Sequence, residues 1–324
     1  MKFSQAQYDQ IVYIGGRKLD YVTDVDGSYS HTVKPINIFG QGAIKNVIAG
    51  IPKGDFSITR TMIAEDFMRI YTGIDSFIRG SINYGDKVFG FNLGSLTSYS
   101  YSVAYGEPPN ANYGITVYGD IGSGLYIDSL NATMLGDPSS LNALGYNTDN
   151  PKKVPLPSTI NIICNGSSGN RITSFDLSTQ INKNEIYTVN STTPFQVTTK
   201  WPIEVITNFT MEVDDYETKR QSDALITNAF DVFSININGV VYEDSEMLTE
   251  SGASLTTEDG TPLLILRKDD IDPSTNQVFN FNSSNTRLIS EQFTSTTEDV
   301  ATVKLTYVTY LNKNNNSYAG NYIE

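Results

Sequence analysis

Apolar and polar residues alternate along most of this chain, in short runs cut by turn residues, and period-two alternation is the signature of half-buried strands. Gln10–Ile14 predicts a first strand closed by Gly15-Gly16, and Leu19–Val25 a second. Ser28–Val33 predicts a third, after a turn at Asp26-Gly27. Phe56–Met62 alternates cleanly. Ile63, Phe67, Ile70 and Tyr71 instead fall at helical spacing, with Gly73 as the stop, and a more polar counterpart covers Asp215–Phe230. Strand pairs are expected at Leu96–Tyr105 with Tyr113–Tyr118, and at Leu288–Thr294 with Val300–Tyr310. Ser234–Tyr242 reads as a hairpin with Asn238-Gly239 at its tip, followed by a strand over Leu263–Leu266.

The pattern occurs twice. Val88-Phe89-Gly90-Phe91-Asn92 returns as Val278-Phe279-Asn280-Phe281-Asn282, 190 positions later, and Leu96, Ser98 and Tyr118 return as Leu288, Ser290 and Tyr310, 192 positions later. Ile36, Val47 and Pro52 return as Ile186, Val197 and Pro202, 150 positions later. An even shift keeps each residue on the same face of its strand. Thr61-Met62 is matched to Thr210-Met211. The difference between the shifts implies an insertion in the second copy, over about 237–276.

Composition narrows the classes. Tyr (20) and Phe (15) are plentiful while charged residues are 18%, a β-rich composition with helix as the minor component. The single Cys164 excludes an internal disulfide and sits in an apolar run as a small hydrophobe. The start lacks the apolar core of a signal peptide and no apolar run reaches the length that crosses a bilayer, so the expectation is a protein made soluble in a cytoplasm, without membrane insertion. The net charge of −14 lies mostly late: 14 acidic against 12 basic residues over positions 1–155, then 22 against 10. Such a balance argues against a tight grip on nucleic acid, which needs cations facing phosphates.

Candidate chemistry is sparse. One His (His31) and one Cys leave no zinc set, and a Ser/His/Asp triad would have to be built on His31, a strand residue read as surface. Asp24-Val25-Asp26-Gly27-Ser28 lacks the later ligands of a calcium loop and reads as a turn, while Asp269–Ser274 fits a weak cation site and an Asp-Pro turn equally well. Gly40-Gln41-Gly42 has neither the lysine nor the helix of a phosphate loop. No enzyme, cofactor or metal is expected.

Val25–Ser30, Pro35–Gly42, Phe56–Arg60, Leu96–Val103 and Tyr113–Gly119 together resemble tail tube proteins of tailed bacteriophages, over most of 10–121 and more faintly over 158–311. The resemblance implies a mainly β fold of two tandem tail-tube-like β-sandwich or half-barrel domains, each with a short flanking helix. The expected divisions are 1–130, a linker over 131–157, and 158–324 carrying the acidic insertion. It implies rings of self-associated chains that stack into a hollow tube in the virion and let genomic DNA pass without specific contact, beside other phage tail proteins. Because the unit is duplicated, three chains per pseudo-sixfold ring are expected. Leu96, Ser98, Tyr118, Leu288, Ser290 and Tyr310 are the candidate inner-strand residues; Ile36, Ile38, Phe39, Ile44 and Val47, in the glycine-spaced Pro35–Pro52 loop or hairpin tip, are the candidate stacking residues. A hub or adaptor ring at one end of the tail, or a carbohydrate-binding or adhesion module, are the rival readings.

Overall fold

The computed structural model describes residues 10–15, 17–31, 33–36, 46–62, 66, 68, 71–72, 75–84, 87–104, 107–119, 121–123, 153–164, 167–168, 172–212, 231–246, 264–268, 277–295 and 301–313. The chain is mainly β and its sheets are antiparallel. The first half gives β1 (Gln10–Ile14), β2 (Arg17–Leu19), β3 (Val22–Ser30), β4 (Val33–Ile36), β5 (Asn46–Ala49), β6 (Lys53–Thr61), β7 (Ile78–Tyr84), β8 (Lys87–Ala104), β9 (Asn110–Tyr118) and β10 (Ile121–Ser123). The second gives β11 (Lys153–Cys164), β12 (Ser167–Ser168), β13 (Ile172–Gln180), β14 (Lys183–Ile186), β15 (Gln196–Thr199), β16 (Ile203–Glu212), β17 (Asp231–Glu246), β18 (Leu264–Lys268), β19 (Gln277–Thr294) and β20 (Thr302–Leu311). The stretch expected as a linker therefore ends inside β11.

The repeat in the sequence is a repeat in strand order. Neighbours run β2-β1-β7-β8-β9-β6-β3 in the first half and β12-β11-β17-β19-β20-β16-β13 in the second. The register repeats as well. Leu96 lies opposite Ile115 and Ser98 opposite Gly114, with a bulge between them; Leu288 lies opposite Tyr307 and Ser290 opposite Thr306, with a bulge at the same place. Every one of these positions is shifted by 192. The hairpins β4–β5 and β14–β15 pair Ile36 with Asn46 and Ile186 with Gln196, a shift of 150.

The two halves are joined through β8, which is 18 residues long because it serves different partners along its length. Lys87–Gly94 pairs with β7, Gly94–Ser102 with β9, and Ser98–Ala104 with β13 of the second half. At Gly94, where partners change, a side chain would run into the Phe91 ring and Ile115. The β8–β13 seam makes β3-β6-β9-β8-β13-β16-β20-β19 one eight-stranded run. Its inner face is a single core that crosses the seam: Tyr101 meets Phe175 (6.2 Å between ring centres), Phe175 meets Phe209 (5.6 Å), and Phe209 meets Tyr307 (5.8 Å). Burying each such ring contributes up to about 3 kcal/mol.

Four expectations are corrected. Asp26-Gly27 is no turn; both residues lie inside β3, opposite Ser57 and Phe56, and Gly27 leaves room for the Phe56 ring. The break comes earlier, at Tyr21 with φ of 59°. Asn238-Gly239 is not a hairpin tip, because β17 runs straight through it between β11 and β19. The dipeptide falls where the β19 register shifts after Ile237 and where Gly239 faces Pro155, which has no N–H to give the ladder. Arg60, and not the earlier matching of Thr61-Met62 with Thr210-Met211, sets the alignment of β6 on β16: Arg60 faces Ala111 and Met211 faces Val303, 192 positions on. Around the expected first helix, Met68 and Tyr71–Thr72 form tight 3₁₀ turns; the Asp215–Phe230 segment lies outside the described residues.

Candidate functional site

Alternation sorts the eight-stranded run into a core face and a wet face. On β6, Phe56 and Ile58 point inward while Asp55, Ser57, Thr59 and Thr61 point out; on β9, Ala111, Tyr113 and Ile115 point inward while Asn110, Asn112 and Thr116 point out. The outward side chains bridge strands. Thr59 donates to Asn112 Oδ1 (2.7 Å), Thr116 to Asp55 Oδ1 (2.9 Å) and Thr306 to Asn208 Oδ1 (2.8 Å). A groove of about 560 Å³ lies along this face, lined by Asp26, Ser28, Asp55, Ser57, Thr97 and Ser98 among others. Among the described residues, the carboxylates carried on the face are Asp24, Asp26, Asp55, Asp176, Glu204 and Glu212, against the cations Lys53, Arg287 and Lys304. The surface therefore offers hydroxyls, amides and carboxylates in rows, and repels a polyanion more than it holds one.

A hairpin of the second half clamps the seam from this side. Glu185, on β14, receives Lys53 Nζ at 2.6 and 2.7 Å and the Tyr187 hydroxyl at 2.8 Å. Burial and the Glu185 charge hold the Tyr118 phenol above its ordinary range, and Tyr118 is 2% exposed under this contact. The Thr199 N–H donates to Asp75 Oδ1 at 2.7 Å, and Lys183 donates to the Thr199 hydroxyl at 2.8 Å. Burial pushes Lys183 down to about 8.

Behind the seam, on the core side, lies a charged group that sequence reasoning missed. Asp66 is fully buried and accepts from Tyr99 (2.8 Å), Tyr113 (2.9 Å) and the Met68 N–H (3.0 Å), with Arg60 Nη1 at 3.8 Å. Burial and the Asp66 charge raise both phenols well above their ordinary values. The cluster ties Asp66 and Met68 to β8 and β9. Among the described residues it has no copy in the second half, where Met211, Glu291 and Leu305 stand at the places of Arg60, Tyr99 and Tyr113. One signal was available: an arginine on the apolar phase of β6, after Phe56 and Ile58, requires a buried acid.

The candidate inner-strand residues divide between the two faces. Leu96 is buried in the core and Leu288 packs against it, while Ser98 and Ser290 stand on the wet face. Tyr118 and Tyr310 both belong to the wet face, yet Tyr310 is 46% exposed where Tyr118 is covered. Of the candidate stacking residues, Ile36 and Val47 stand in the β4–β5 ladder; Ile38, Phe39 and Ile44 lie outside the described residues, as do Gly40-Gln41-Gly42 and Asp269–Ser274. The second copy of that hairpin presents Val189 (93% exposed) and Phe195 (72%). Among the described residues no three metal-ligating side chains come together. The chain matches no protein-family model, and no curated protein matches it.

Proposed function

We propose that this chain is a structural virion protein whose rings stack into the tail tube of a tailed bacteriophage, made in the host cytoplasm and assembled beside other tail proteins. The observation that carries the reading is the join of two equivalent strand runs, edge to edge, in one sheet whose wet face is poor in cations. A unit built to continue its sheet into a copy of itself is a ring segment, and closure removes the open edges that an isolated segment leaves. Three chains then give six equivalent units around a bore, with the wet face lining it and DNA passing without a salt-dependent hold. The hairpins β4–β5 and β14–β15 supply the stacking contacts between rings, through exposed apolar tips such as Phe195.

Electron microscopy of the purified full chain tests this reading. Long hollow tubes support it, and isolated rings favour a hub or adaptor at one end of a tail. Native mass spectrometry of single rings should give three chains; six would overturn the stoichiometry and leave the tube standing. A persistent monomer that binds glycans would favour the adhesion module instead.

A further inference from the structure

The β8–β13 seam has a vacant equivalent at each end of the eight-stranded run. β13 corresponds to β3, and β8 to β19, so the strand that would continue the sheet past β19 is another chain's β3. Among the described residues β3 has β6 as its ladder partner on one edge only. On β19, the Leu288–Thr294 half has β20 on one edge, and the place that β13 fills on β8 holds no described strand. We propose that β3 of one chain adds to β19 of the next in the register of the internal seam. Ser30 then stands opposite Ser290, Tyr29 opposite Glu291, Ser28 opposite Gln292, and Asp26 opposite Thr294.

Three independent features fit this occupant. First, two of the wet-face residues that meet β8 in the internal seam are kept on β3: Asp176 faces Ser102 and Ser178 faces Ser100, and the corresponding β3 residues are again Asp26 and Ser28. Second, Glu291 Oε1 is buried without a hydrogen-bond partner, a costly state for a carboxylate oxygen, and the register brings the hydroxyl-bearing Tyr29 to its side of the sheet. Third, Tyr118 is covered by the hairpin of the following half while its equivalent Tyr310 is 46% exposed. What covers Tyr118 comes from the next unit in line, so the cover for Tyr310 is the next chain's β4–β5 hairpin. The contact is head-to-tail, which closes into a ring or winds into a filament according to the rotation per joint. The inference rests on the self-association part of the proposed function and is independent of a phage origin.

Paired cysteines test the register in the full chain, with Cys164→Ser to remove the native thiol. Ser30→Cys with Ser290→Cys sits at opposite ends of the run, seven strand spacings or roughly 30 Å apart, so a disulfide between them joins two chains. Oxidation should convert most of the protein to covalent oligomers. Asp24→Cys with Ser290→Cys, six residues out of register or roughly 20 Å along the strand, should give none. As a second measurement, Tyr29→Glu should abolish assembly without changing the monomer's melting temperature, because Tyr29 is 45% exposed, and adding Glu291→Lys should restore it. Rings by microscopy without the in-register disulfide, or with equal yield from both pairs, would overturn this seam and leave self-association standing. A monomer by native mass spectrometry, with no cross-link and no rings, would overturn both.

Discussion

Thr23 and Thr173 fill the same irregularity in two strands 150 residues apart. Each is the extra residue of a bulge, between Val22 and Asp24 on β3 and between Ile172 and Ser174 on β13. Each donates its hydroxyl to a carbonyl of the neighbouring strand at 3.2 Å, Thr23 to Thr59 and Thr173 to Thr210. A bulge shared between copies in both position and hydrogen bond marks a feature of the unit and not an accident of one half.

Removing these donors should cost alike but not equally. Thr173→Val is expected to lower stability by about 1 kcal/mol, the net value of one hydrogen bond, and Thr23→Val by less because its bond is solvent-exposed. Urea titration followed by tryptophan fluorescence gives both values. A larger loss from Thr23→Val would contradict the assignment.

The Asp66 cluster should behave as a buried ion pair. Asp66→Ala removes the carboxylate beside the buried Arg60 charge and the acceptor of two tyrosine hydroxyls, and a loss of about 3–5 kcal/mol is expected. Arg60→Met combined with Asp66→Asn should lose less than half of that, since the amide oxygen still accepts and methionine already fills the equivalent place as Met211. Equilibrium denaturation decides, and a change under 1 kcal/mol for Asp66→Ala would count against the cluster.

Lys183 gives a pH dependence with a definite sign. Burial holds it at about 8 in the fold, below its unfolded value of 10.5, so between those limits the unfolded chain binds the extra proton. Stability should therefore rise as pH goes from 8 to 10. Lys183→Met should flatten that rise, which melting curves across the range would measure; an unchanged slope in the variant would assign it elsewhere.

The second half's extra segment begins where its strand register ends. Ile237 pairs with Phe279 as Tyr84 pairs with Lys87, so 238–278 stands in the place of Gly85-Asp86. Exchanging 238–278 for Gly-Asp should preserve a cooperative unfolding transition, whereas cutting into Ile237, which is fully buried, should not. Loss of cooperativity in the exchange variant would make the segment part of the core.

Stacking is tested separately from ring closure. Phe39→Asp should leave single rings that no longer form long tubes, because a charge at an apolar contact is expensive to desolvate. Long tubes from this variant in negative-stain images would move the stacking contact away from Pro35–Pro52.

The duplication, the shifts of 150 and 192, and the alternating faces of β6, β9 and β20 were legible from the sequence alone. Alternation is a local property: each side chain's face is decided by its neighbours two residues away, and an even shift preserves it. Turn chemistry misled at Asp26-Gly27 and Asn238-Gly239, because a dipeptide preference of a kilocalorie or so yields to ladders paired on the flanking strand and to the Phe56 ring over Gly27. Tertiary structure alone decided that β8 takes β13 as a neighbour, that Arg60 meets Asp66, and that Lys53 meets Glu185 132 residues away. Those choices depend on which edges and buried charges are brought together after the strands form, and no periodicity along the chain encodes a partner that distant.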